Sequence, residues 1–132
     1  MSTVTLDRHA EAIAKTVDPE VFELDPITLI TVIVPIIKMV VPSLFECLNN
    51  NDDASPEQVK DRVIQLNKRD PRRLERRLAK NIKSEHKKKK KEKLTDARAT
   101  ELSKKTIAYV LTMETDDIVE VSFESKLFAE AA

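Results

Sequence analysis

The chain has 132 residues, enough for one domain, and contains no glycine, where average usage of about 7% predicts about nine. That absence excludes the phosphate-binding loop, the dinucleotide fingerprint, glycine-lined oxyanion nests and the nucleophile elbow, each of which needs glycine backbone geometry. The 23 basic and 23 acidic side chains cancel in sum but are segregated: residues 1–53 carry 3 basic and 9 acidic (−6), residues 68–93 carry 14 and 4 (+10), and residues 94–132 carry 4 and 8 (−4).

Tight β-hairpins and left-handed helix caps also draw on glycine, so the expected class is all-α: several amphipathic helices around one long, proline-kinked apolar helix that is a candidate for membrane embedding. Five regions follow from the pattern. They are an acidic amphipathic segment (1–24), the apolar helix (25–48), a polar linker (49–55), a basic helical region (56–93) and a C-terminal packing region (94–132).

In the first region, Val4, Leu6, Ala10, Ile13 and Val17 predict a short amphipathic helix. The N-terminus lacks a basic stretch followed by an apolar core, so no cleavable signal peptide is expected. Asp18-Pro19 and Asp25-Pro26 then read as helix starts, because an aspartate caps the first turn and proline suits the first helical position.

The run Ile27 to Leu48, ITLITVIVPIIKMVVPSLFECL, would extend about 33 Å as a helix, enough to cross a bilayer core. Lys38 in its middle costs roughly 2.5 to 3.5 kcal/mol on insertion, against roughly 4 to 8 kcal/mol returned by its Ile, Leu, Val and Phe residues. At about 100° per residue, Thr28, Thr31, Pro35, Lys38, Pro42 and Glu46 form one polar edge. Ile27, Ile30, Val34, Ile37, Val41, Leu44 and Leu48 form a 3-4 spaced seam, expected to face a membrane or a protein core. Cys47 is the single cysteine, which excludes an internal disulfide and a thiolate metal cluster and suggests a small buried hydrophobe.

After the polar tract NNNDDAS, Ser55-Pro56-Glu57-Gln58 reads as a capping box before a helix carrying Val59, Val63, Ile64 and Leu66. Asp70-Pro71 opens another helix. There Leu74, Leu78 and Ile82 form a thin apolar stripe beneath Arg72, Arg73, Arg76, Arg77, Lys80 and Lys83, which lead into Lys87, Lys88, Lys89, Lys90 and Lys91. These basic residues are the candidate polyanion-binding set. The segment between Phe45 and Tyr109 holds no aromatic residue to stack on unpaired bases, so contact is expected to be with backbone phosphate, sequence-tolerant and salt-sensitive. The alternative is a solvated face paired with the acidic ends of the same chain.

Ala99, Leu102, Thr106, Tyr109 and Met113 predict a packed helix over 95–113. Thr115-Asp116-Asp117 suits the start of a last helix to about Ala131, although the alternation Val119, Val121, Phe123 also allows a short strand. His9 and His86 lie far apart with no metal-ligand spacing, so neither a metal nor a cofactor is expected, and no catalytic constellation emerges.

The expectation is a non-enzymatic structural protein linking a membrane or hydrophobic assembly to nucleic-acid backbone or anionic lipid. That organisation suits an internal or membrane-associated component of a virus particle. The alternative is a soluble, cytoplasmic assembly protein whose apolar helix is buried among other protein subunits.

Overall fold

The structure is a computed structural model that describes the backbone of residues 3–49, 56–90 and 94–131. All regular structure among them is helical: α1 (Val4–Ala14), α2 (Pro19–Phe22), α3 (Pro26–Asn49), α4 (Pro56–Arg69), α5 (Pro71–Lys90), α6 (Asp96–Thr112) and α7 (Thr115–Ala131). The segment that could have alternated as a strand is helical because Ile118, Val121 and Ser125 share one buried side. The polar tract 50–55, including Ser55 of the expected capping box, lies outside the described residues.

The aspartate-proline pairs act as helix starts. Asp18 Oδ1 accepts the Glu20 N–H (3.0 Å), Asp25 Oδ1 accepts those of Ile27 (3.1 Å) and Thr28 (2.9 Å), and Asp70 Oδ1 accepts that of Arg73 (3.1 Å). The Thr28 hydroxyl also donates to Asp25 Oδ2 (2.6 Å), and this bond is the chief reason the Asp25 carboxyl is held below the usual carboxylate range. One left-handed cap forms without glycine. Glu23 ends α2 at φ 54°, ψ 38°, and the following Leu24 N–H closes the turn onto Pro19 O (3.2 Å).

α3 packs against all six other helices and is the axis of the fold. One apolar cluster, running from Leu6 to Val121, gathers side chains from all seven helices, so the four helical sequence regions share a core. The buried line of α3 is Leu29, Ile33, Ile37, Val41 and Leu44 with Val40 beside it, which differs from the expected seam. Of that seam, Ile37, Val41 and Leu44 are buried in the bundle and Val34 packs against the cluster, whereas Ile30 is half-buried and Ile27 is 81% exposed. The reason is a change of surroundings along the helix. The outward arc of its first half, Ile27, Thr28, Thr31, Val32 and Pro35, is open, whereas Ser43, Leu44 and Phe45 are buried on several sides. α3 is long and apolar enough to cross a bilayer, and 39% of its most apolar stretch is buried within the bundle. The side chains of Glu46, Cys47 and Leu48 lie outside the described residues.

Candidate polyanion-binding face

α5 is held by its stripe. Leu74, Leu78 and Ile82 are buried, and with them Ala79 and His86, against α6 and α3. α5 runs antiparallel to α6: Glu75 lies across a cleft from Lys104, Ile107 and Leu111, while Lys83 at the other end pairs with Asp96. On the α3 side, Ile82, Glu85 and His86 meet Ile36, Met39 and Val40.

The stripe takes one side of the helix, so at about 100° per residue the cations occupy the other. From Arg72 to Lys88 they span an arc of about 160° and a length of about 24 Å. Arg72, Arg73, Arg76, Arg77, Lys80 and Lys87 are exposed and make no ion pair among the described residues. Lys83 is engaged by Asp96, and Lys88 lies 3.8 Å from Glu85. Glu75 and Glu85 fall outside the arc, on the same side of the helix as the stripe, so the outward face is cationic except for Ser84. Lys89 and Lys90 continue the helix, with side chains outside the described residues, and Lys91 lies beyond the described backbone.

A second polar grouping, with no local signal in the chain to assemble it, joins α1, α3, α6 and α7. The buried Glu124 of α7 accepts the backbone N–H groups of Thr5 (2.9 Å) and Leu6 (3.2 Å), so it caps α1 where Thr3 makes no side-chain cap. His9, 8% exposed, sits 2.6 Å through Nδ1 from the Tyr109 hydroxyl, and its Nε2 is 3.6 Å from Asp117 Oδ2. The tautomer that suits both neighbours has the Tyr109 hydroxyl donating to Nδ1 and the proton on Nε2, facing the carboxylate. Burial lowers the affinity of His9 for a second proton, with Asp117 opposing, and burial likewise raises the Tyr109 phenol above its ordinary value. Lys38 Nζ lies 2.6 Å from Asp7 Oδ1 and 5.0 Å from the centre of the Phe128 ring, so α1 and α7 cover the polar edge of α3 at this level.

The Asp117–His9–Tyr109 order has the composition of an acid-base relay, with its members drawn from three helices. Each member ties one helix to another, and the imidazole is enclosed by the contacts it makes. Among the described residues no group of three or more His, Cys, Asp or Glu side chains gathers as metal ligands. Only spacing over a hundred residues joins His9 to Tyr109, and no local pattern encodes it. No family model matches the chain, and comparison with curated proteins and with solved structures likewise finds no significant match.

Proposed function

We propose that this protein is a non-enzymatic helical bundle that docks on a polyanion through the outward face of α5, with α3 as its hydrophobic axis. The observation that carries this reading is the division of α5. Its apolar stripe is consumed by the core, while six exposed cations on the opposite arc lack ion-pair partners among the described residues. Of the acidic ends of the chain, Asp96 reaches this face and engages Lys83, whereas Asp18, Asp25 and Glu124 cap helices and Asp7 pairs with Lys38. A face of like charges repels itself and is relieved by a partner of opposite sign.

Retention on immobilised heparin tests the reading. The parent chain should elute at higher salt than Arg72→Gln/Arg76→Gln, and equal elution of the two would refute it.

A second reading, contact of the open half of α3 with a membrane or another protein subunit, is favoured by the exposure of Ile27 and Val32. Flotation with neutral liposomes at high salt should retain the parent chain and lose Ile27→Asp/Val32→Asp if this reading holds.

A further inference from the structure

We infer that the polyanion is duplex nucleic acid, held through its phosphates without base readout; this rests on the polyanion-docking reading above and narrows it. Three features of α5 separate the candidate ligands. An amphipathic helix that binds membranes sinks its apolar side into the acyl boundary, but Leu74, Leu78 and Ile82 are at most 4% exposed and are committed to the core. Single strands are gripped by a positive groove with aromatic side chains for the bases; α5 is a convex rod that carries no Phe, Tyr or Trp from Pro71 to Lys90, and its one imidazole, His86, is buried. A duplex requires neither apolar insertion nor stacking.

The width of the charged arc points the same way. Arg72, Arg76 and Lys87 form one edge of the arc and Arg73, Arg77 and Lys88 the other, with Lys80 between them. A flat headgroup layer meets only the cations on the crest of a rod. A duplex groove about 12 Å wide, against a helix about 10–12 Å across, presents phosphates to both edges. The charged length of about 24 Å would follow about seven phosphates of one strand. Arginine and lysine reaching phosphate on both flanks, with Ser84 the one uncharged side chain between, fix position and carry no sequence information.

The test is fluorescence anisotropy with the full chain and two unrelated duplexes of roughly 20 base pairs, a single strand of the same length, and phosphatidylserine vesicles, over about 50 to about 200 mM salt. Both duplexes should bind alike and more tightly than the single strand, with log K falling against log salt at a slope of about −5 for six phosphate contacts. Arg76→Gln/Arg77→Gln should make that slope shallower by about 2 and weaken binding about 50-fold near 0.1 M salt. The charge-matched pair Lys15→Gln/Lys126→Gln, at the C-terminal cap of α1 and on α7, should leave the slope within about 0.5 of the parent.

Tighter binding of the single strand, or retention on vesicles without duplex binding, would overturn the duplex assignment and leave polyanion docking standing, whereas equal losses from the two double variants would overturn docking through α5 as well. Failure to bind duplex, vesicle and heparin alike would remove both.

Discussion

Glu124 closes the N-terminus of α1 from 119 residues beyond Thr5, its Oε1 accepting the Thr5 N–H at 2.9 Å and the Leu6 N–H at 3.2 Å. The first turn of α1 leaves backbone donors unpaired, and a carboxylate there also meets the positive end of the helix dipole. Because Glu124 is buried, its removal strands those donors without water. Glu124→Ala should lower stability by about 2 kcal/mol. Glu124→Gln keeps one acceptor and should cost less, which urea denaturation of the two variants measures.

His9 makes the fold sensitive to acid. Burial sets the folded-state pKa below the ordinary 6.5, so over a window beginning near that value and extending downward the unfolded chain binds more protons than the folded one. Stability is therefore full above about pH 7 and declines as the pH falls through the lowered value. Urea midpoints at about pH 7 and about pH 5 should differ less in His9→Gln than in the parent, and an unchanged difference would assign the acid sensitivity to other groups.

Tyr109→Phe removes the hydroxyl that His9 Nδ1 meets at 2.6 Å and keeps the ring. The expected loss is about 1 kcal/mol. In His9→Gln/Tyr109→Phe the two effects should fall short of additivity by about 0.5 kcal/mol or more, since the residues are in contact.

Lys38 is the cation within the apolar helix, and its partner is Asp7, whose Oδ1 lies 2.6 Å from Nζ. Both side chains retain access to water, so the pair is worth about 0.5 to 1 kcal/mol in a cycle of Lys38→Met and Asp7→Asn read by thermal melting. Lys38→Leu separates the settings of α3. In a water-facing bundle it should leave vesicle retention unchanged, and in a membrane-inserted chain it should raise retention.

Glu23 occupies the left-handed region that glycine enters freely. Relief of its Cβ crowding, less the extra freedom glycine gives the unfolded chain, should make Glu23→Gly more stable by about 0.5 to 1 kcal/mol. A fall in melting temperature would show that the Glu23 side chain contributes more than its conformation costs.

The helices were legible from local signals because their determinants are local. Aspartate before proline caps the next turn, the four-residue spacing of Leu74, Leu78 and Ile82 sets one apolar side, and the cations between them must then face outward. The charged face of α5 could therefore be read from the chain alone. The facing of α3 could not, because it is apolar over most of its circumference and periodicity does not choose among its sides. Its neighbours chose, burying Leu29 and Ile33 and leaving Ile27 open. Nor could sequence bring Glu124 to Thr5, His9 to Tyr109 or Lys38 to Asp7. Those pairings exist only once α1, α6 and α7 pack around the same axis, where burial away from water makes each polar group depend on a partner distant in the chain.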